Sequence, residues 1–221
     1  MFRFKIDLQR LSSVDTIADV DQWGLESKHH LPSIDLFSQS YNPYIAKIGW
    51  NPQGLFLQIE LDLSGRKRSS SRPYELQVTL LVNSRFDPSI LRENEFCSRF
   101  VFLKTHRSTI DFKQLDLSGN ERLRCSSMED SFIKNLQNKT NTEPVFCSFR
   151  SSSKGLTFWI HLAGAVLNGY RPEEFPEIGL HFDVMVVDPD FQGNPMIWNM
   201  VYSYQITPRG NPSLWTHCRL V

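Results

Sequence analysis

Two pairs of side chains in the second half of the chain combine residue types that can hold a polar ligand. Trp159 and His161 lie two positions apart in GLTFWIHL, and His181 and Asp183 lie two positions apart in LHFDVMVVDPD. Successive side chains of a β-strand point to opposite faces, so each pair would share one face of its strand. If the two strands pair, all four side chains line one surface outside the core. In the alternative, residues 105–143 cover this face and Trp159 belongs to a second layer of core.

Oxygen-bearing side chains follow the second of these segments. Asp188, Asp190 and Asn194 lie close together in VVDPDFQGN, and carboxylate and amide oxygens are the ligands that Ca²⁺ prefers. The spacing differs from that of an EF-hand loop, so a solvated turn is the main alternative. We therefore predict at most a weak calcium site at Asp188 and Asp190, and no other cofactor.

No complete catalytic set is evident in the sequence. It contains neither the G-x-S-x-G nucleophile motif nor the H-E-x-x-H zinc motif. His29 and His30 are adjacent, so on a regular element they would not face one site. A glycosidase needs two carboxylates facing each other across a cleft, which a sequence cannot show. The prediction is a protein that is not an enzyme.

Charge argues against nucleic acid as a partner. Lys plus Arg and Asp plus Glu both total 24, so the formal net charge is zero and the global basic field of a nucleic-acid-binding domain is absent. One basic stretch, SGRKRSSSR at residues 64–72, is interpreted as a solvated loop rather than as a phosphate or RNA site.

The cysteines and the first residues of the sequence are used to predict the cellular compartment. None of Cys97, Cys125, Cys147 and Cys218 forms a C-x-x-C pair, which argues against a structural zinc site. The first residues lack the apolar region of a secretory signal, and no window approaches the roughly 18 apolar residues of a membrane span. The expectation is a soluble, cytoplasmic protein, without a membrane partner, whose cysteines are small apolar fillers or surface thiols.

The elements that must position these residues are predicted to be strands. Apolar and polar residues alternate in about eight or nine segments, and no long amphipathic helix is evident. This pattern is typical of an all-β fold, an antiparallel two-sheet β-sandwich of the jelly-roll or immunoglobulin-like kind, with a few short helical turns. We predict a single domain over 1–221, with an N-terminal covering segment at 1–42. A long polar insertion at 105–143 would hold one short helix near MEDSFIKNL.

The order of the motifs in the second half resembles the end of family 9 carbohydrate-binding modules and their DOMON-like sandwich relatives. Gly155–Leu162 is similar to the glycine-led strand of that pattern, Ile178–Asp190 to its IGFxxxVxDxD strand, and Pro212–Leu220 to its final Pro-Ser-x-Trp strand. GWNPQGLFLQIEL and LQVTLLV are similar more loosely, so the resemblance spans roughly residues 45–220. It implies a β-sandwich in which Trp215 seals one end of the core.

The resemblance also implies a non-catalytic module that binds a saccharide. Sugar-binding members hold the faces of a pyranose ring with aromatic side chains and its hydroxyls with polar ones. Trp159 and Trp198 are the aromatic candidates here, and His161, His181 and Asp183 are the polar candidates. This chain departs from the sugar-binding pattern in FQGNPMIW, which lacks the arginine that those members carry between DxD and the next aromatic residue.

Three alternatives stay open. In the first, the basic loop 64–72 and the insertion 105–143 form a surface for a protein partner on a sandwich that has lost sugar binding. Burial of all five tryptophans, with an apolar patch exposed elsewhere, would favour this function. The second is an enzyme of unrecognised type. The third, haem binding as in some DOMON-like relatives, would use His161 and Met185 as axial ligands.

Overall fold

The computed structural model describes eleven stretches of the chain. These are residues 5–31, 44–62, 75–89, 91–92, 94–104, 110–115, 121–127, 145–152, 155–187, 196–199 and 215–221.

Twelve strands lie within these described stretches. They are β1 (Lys5–Leu8), β2 (Tyr44–Asn51), β3 (Gly54–Asp62), β4 (Glu75–Asn83), β5 (Cys97–Lys104), β6 (Ile110–Leu115), β7 (Glu121–Ser127), β8 (Val145–Ser151), β9 (Gly155–Ala163), β10 (Glu177–Val187), β11 (Met196–Asn199) and β12 (Thr216–Leu220). Single 3-10 turns occur at Val20–Trp23, Ser27–His29 and Gly164–Val166. Within these stretches, no helix has the length and apolar character needed to cross a membrane.

The strands form two sheets. The larger follows the order β1-β12-β10-β4-β5-β6-β7, with β11 also paired to β10, and the smaller follows the order β2-β3-β9-β8. All neighbours are antiparallel except β1 and β12, which run parallel. The chain therefore has the all-β sandwich fold that its alternating sequence predicts.

The core lies between the two sheets and is built by the faces that alternation predicts. Leu55, Leu57, Ile59 and Leu61 of β3 face Leu76, Val78, Leu80 and Val82 of β4 across the interior. Phe102 and Phe158 meet edge to face, with ring centroids 6.2 Å apart. Such aromatic pairs contribute about 0.5–1.5 kcal/mol beyond the burial of their surface.

The region predicted to be a polar insertion contains two strands. β6 and β7 continue the larger sheet beyond β5 in antiparallel register. Their residues include many polar types, so alternation alone does not reveal them; backbone pairing to a strand already in place can form such outer strands. The helix predicted near MEDSFIKNL lies outside the described residues, and so does most of the segment after β11.

The segment after β4 forms a turn where the sequence predicts a helical turn capped by Asp87. The Asp87 carboxylate accepts the backbone N–H of Ser89 at 2.8 Å, which makes a local Asx turn. An N-cap residue accepts a backbone N–H in this way, so the cap contact predicted for Asp87 is present.

The described cysteine side chains are free thiols. Cys147 and Cys218 are buried in the core and Cys97 is half-buried. Burial raises the pKa of Cys147 and Cys218, because a thiolate is poorly solvated in the interior. These two thiols therefore act as small apolar core residues, as predicted.

The two chain ends meet at Trp50. Its indole N–H donates to the carbonyl oxygens of Leu8 at 2.9 Å and of Val221 at 3.2 Å. The N–H of Val221 bonds to the carbonyl of Leu8, and the N–H of Arg10 bonds to the carbonyl of Val221. Trp215 is buried at the start of β12, as predicted. The last strand is therefore fixed at its beginning and at its end.

We expect Trp50→Phe to lower the free energy of unfolding by about 1–3 kcal/mol, because a hydrogen bond typically contributes about 1 kcal/mol and the smaller ring also leaves a void. Both carbonyls keep a backbone donor, which limits the loss. Urea denaturation measures the change. Ile45→Thr is the control, since Ile45 is 50% exposed on the same strand and its substitution should cost under about 0.5 kcal/mol. Equal stability of Trp50→Phe and wild type would contradict this role.

Candidate functional site

The structure separates the two pairs of candidate residues. β9, which carries Trp159 and His161, pairs with β3 and β8 in the smaller sheet. β10, which carries His181 and Asp183, pairs with β4, β11 and β12 in the larger sheet. The pairing of β9 with β10, considered from the sequence, is therefore wrong. A sequence shows which face of a strand is apolar, but not which sheet the strand joins.

Both pairs point away from the core, in opposite directions. Phe158 and Ile160 of β9 and Phe182 and Val184 of β10 belong to the core between the sheets. The intervening residues therefore lie on the two outer faces of the sandwich. Packed sheets are about 10 Å apart, so the four candidate side chains cannot share a ligand.

The outer face of the smaller sheet is closed by the N-terminal cover, which we define as residues 9–25. Trp23 of the cover contacts Phe56 and Phe146 edge to face, with ring centroids 5.2 and 5.8 Å apart. Trp159 belongs to the same cluster and is only 6% exposed. Trp159 is thus second-layer core, the alternative considered from the sequence. Among the described residues, its cover is N-terminal rather than the insertion.

His161 is buried in this apolar cluster. Its ring lies 4.5 Å from that of Phe56 and 6.4 Å from that of Trp23, measured between centroids. Neither ring nitrogen makes a hydrogen bond of normal geometry to a described residue. Burial lowers the pKa of His161 from 6.5 to about 4, and the nearby backbone of Gln53 offsets only part of this loss. A neutral, enclosed imidazole cannot contact a ligand in solution.

Haem ligation by His161 and Met185 is excluded by placement. Met185 lies on the outer side of β10, because it alternates with the core residue Val184. The two proposed axial ligands therefore lie on opposite sides of the sandwich.

Polar side chains line the outer face of the larger sheet. Asp183 stands opposite Thr79, and Met185 stands opposite Gln77. The Gln77 amide nitrogen donates to the Thr79 hydroxyl at 3.2 Å. Sequence reasoning did not single out Gln77 and Thr79, although their polar positions in the alternating β4 strand were the available signal.

His181 and Asp183 interact directly on this face. The His181 Nε2 atom lies 2.8 Å from Oδ1 of Asp183. An ionised carboxylate only accepts hydrogen bonds, so we assign the proton to Nε2. The His181 side chain is fully enclosed, whereas 12% of the Asp183 side chain remains exposed. His181 can therefore orient Asp183, and the carboxylate is the member of the pair that a ligand could reach.

Trp198 lies on β11, at the margin of the larger sheet. Its Cα is paired with that of Val184, and the next residue, Asn199, is paired with Asp183. Only the backbone of this strand is described. Val184 is a core residue, so register pairs Trp198 with an inward position of β10, whereas Asp183 occupies an outward position.

The burial of the tryptophans is the feature that distinguishes the sugar-binding hypothesis from the protein-interaction hypothesis. Four of the five side chains, those of Trp23, Trp50, Trp159 and Trp215, are buried. The fifth, Trp198, is the one whose side chain is not described. The large apolar residues found exposed in the described stretches are Ile45, Leu91, Phe175 and Val221.

The predicted calcium residues Asp188 and Asp190 lie outside the described residues, as does Asn194. In the part of the chain that is described, no group of three or more His, Cys, Asp or Glu side chains is placed to hold a metal ion.

Comparison with known proteins identifies the fold. No protein-family profile matches the sequence, and no curated protein sequence matches it. The structure is similar to that of a family 9 carbohydrate-binding module from Caldicellulosiruptor kristjanssonii in complex with cellotriose, with a TM-score of 0.55 and 14% sequence identity over 98% of this chain and 93% of that one. A family 9 module from the same organism in complex with glucose gives a TM-score of 0.53 at 14% identity, over 99% and 96% of the two chains. The chain thus has a fold like that of family 9 carbohydrate-binding modules, which confirms the resemblance in its strand motifs.

The buried His161 predicts a stability that depends on pH. Its pKa is lower in the folded chain, about 4, than the ordinary value of 6.5, so the unfolded chain binds the proton first as pH falls. The free energy of unfolding should therefore decrease between about pH 6.5 and 4, by up to about 3 kcal/mol from this residue. His29, whose pKa burial also lowers, adds to the decrease.

Chemical denaturation at a series of pH values measures this dependence, and subtracting the curve of His161→Leu isolates the contribution of His161. The control is His30→Gln, because His30 is exposed and should leave the wild-type slope unchanged. A His161→Leu variant with the full wild-type slope would show that the imidazole is not enclosed.

Proposed function

We propose that the protein is a non-catalytic saccharide-binding module whose site lies on the outer face of the larger sheet, around Asp183. The observation that carries this proposal is the oriented His181–Asp183 pair beside a polar stretch of β4, on a sandwich similar in fold to sugar-bound modules.

The contrast between the two outer faces supports this choice of surface. The face of the smaller sheet is filled by the aromatic cluster around Trp23, which the N-terminal cover keeps from solvent. The face of the larger sheet carries Gln77, Thr79 and Asp183, whose amide, hydroxyl and carboxylate groups match the hydroxyl rim of a sugar.

Each of these residues has a separate role. Asp183 accepts hydrogen bonds from two sugar hydroxyls, and His181 holds its carboxylate in place. Gln77, half-buried two strand positions from Thr79, donates or accepts at the next hydroxyl.

We expect Asp183→Asn to weaken the binding of a neutral gluco-oligosaccharide, such as cellotriose, by about tenfold or more. A hydrogen bond to a charged group contributes about 1.5–3 kcal/mol, and a tenfold change in affinity corresponds to about 1.4 kcal/mol. Isothermal titration calorimetry measures the affinities.

The matched control is Trp159→Phe, since Trp159 lies under the N-terminal cover on the opposite side and its conservative replacement should leave affinity unchanged. Equal losses in Trp159→Phe and Asp183→Asn would contradict the assigned face. Absence of binding to any neutral mono- or oligosaccharide at millimolar concentration would contradict the function and favour a protein-interaction module.

A further inference from the structure

Arg85 lies between two aromatic rings just beyond the end of β4. Its guanidinium carbon is 4.2 Å from the ring centroid of Phe175 and 4.6 Å from that of Phe96. Its Nε faces the carbonyl oxygen of Gly169 at 3.5 Å. The two ring contacts hold the guanidinium in place, and the contact at Nε leaves the two terminal nitrogens, which form a planar fork.

Comparison with the other stacked arginines shows what is unusual about Arg85. Arg10 stacks on Trp50 and pairs with Glu173 at 3.1 Å. Arg150 stacks on Trp159 and lies 3.9 Å from Asp21. For Arg85, no carboxylate of the described residues lies within ion-pair distance. Its positive charge is held in place but is not neutralised by a carboxylate of the described residues.

The acidic residues of the neighbouring loop are already paired with other cations. These pairs are Arg10–Glu173, Arg171–Glu174 and Lys5–Glu177. Glu173 and Glu174 directly precede Phe175 in the sequence and yet do not reach Arg85. The charge is therefore available to a carboxylate from outside the chain.

The surrounding loops are tied together, so the fork is preorganised. The Ser84 hydroxyl donates to the carbonyl of Asn168, whose side-chain amide donates to the carbonyl of Glu95 at 2.9 Å. Gly169 has a positive φ of 74°, and a Cβ there would lie 2.9 Å from Nε of Arg85. Only glycine allows this close approach of backbone to the arginine.

We propose that Arg85 and Phe175 form a second binding site, one that takes the carboxylate of a sugar acid such as a glucuronosyl residue. A single guanidinium fork matches a planar, singly charged carboxylate through two parallel hydrogen bonds. The Phe175 side chain, 39% exposed beside the fork, offers a flat apolar surface to the C–H face of the pyranose. This site lies past the end of β4, apart from Asp183, and does not depend on the function proposed above.

The test follows the Nε–Hε signal of Arg85 in a ¹H–¹⁵N spectrum during titration with methyl β-glucuronide, methyl β-glucoside or acetate. We expect the glucuronide to shift this signal with a millimolar or tighter dissociation constant. Acetate should bind at least about tenfold more weakly, and the neutral glucoside should leave the signal unchanged.

Calorimetry with Arg85→Gln should show at least a tenfold loss of glucuronide affinity. Arg85→Lys, which keeps the charge but not the fork, should also lose affinity.

Two further variants keep the test decisive. Arg10→Gln removes a stacked but ion-paired arginine and should bind glucuronide like the wild type. Phe175→Ala, an exposed position, should bring glucuronide affinity down to that of acetate. An Arg85 signal that does not move at saturating glucuronide would overturn the site. Equal affinities for acetate and glucuronide in the wild type would overturn the assignment to a sugar. A wild-type protein that binds glucuronide but not cellotriose would contradict only the function assigned to Asp183.

Discussion

The architecture depends on the N-terminal segment, in which β1 pairs with the larger sheet and the residues after β1 cross to the smaller sheet. β1 pairs with β12 at the edge of the larger sheet, and a few residues later the N–H of Leu11 bonds to the carbonyl of Trp50 in the smaller sheet. The Trp50 indole joins this crossing to the last residue by donating to the carbonyls of Leu8 and Val221. Chain ends fray unless they are tied down, and here each end stabilises the other.

This crossing determines the difference between the two outer faces. After Leu11, the chain continues across the smaller sheet as the N-terminal cover. Leu11 packs directly over Gly49 of β2, where a Cβ would lie 2.6 Å from the leucine side chain. Trp23 then fills the aromatic cluster, and its indole N–H is satisfied by the carbonyl of Ile17 at 3.0 Å. One outer face is therefore dry and aromatic, whereas the other carries the polar side chains around Asp183.

Similar residues acquired opposite roles through their surroundings. His161 and His181 each follow an apolar strand position, and both are buried. His161 lies among aromatic rings without a polar partner, so desolvation keeps it neutral. His181 lies beside a carboxylate and holds it in one orientation. The residue type is the same, but only the second histidine has a carboxylate to orient.

The sequence by itself determined the fold class and the inward face of the central strands, because an apolar residue at every second position can be satisfied only by one buried face. It also indicated that Trp215 and Trp50 belong to the core and that the last strands resemble those of family 9 modules. It could not reveal β6 and β7, whose polar residues carry a weak alternation, nor that β9 and β10 join different sheets. The formation of β6 and β7 and the sheet that β9 or β10 joins both depend on which strands pair. Strands pair through backbone N–H and C=O groups, which do not differ between residue types in a way that marks the partner. The burial of Trp159 and the contacts of Arg85 with Phe96 and Phe175 were likewise decided by tertiary structure, since they arise from segments distant in the chain.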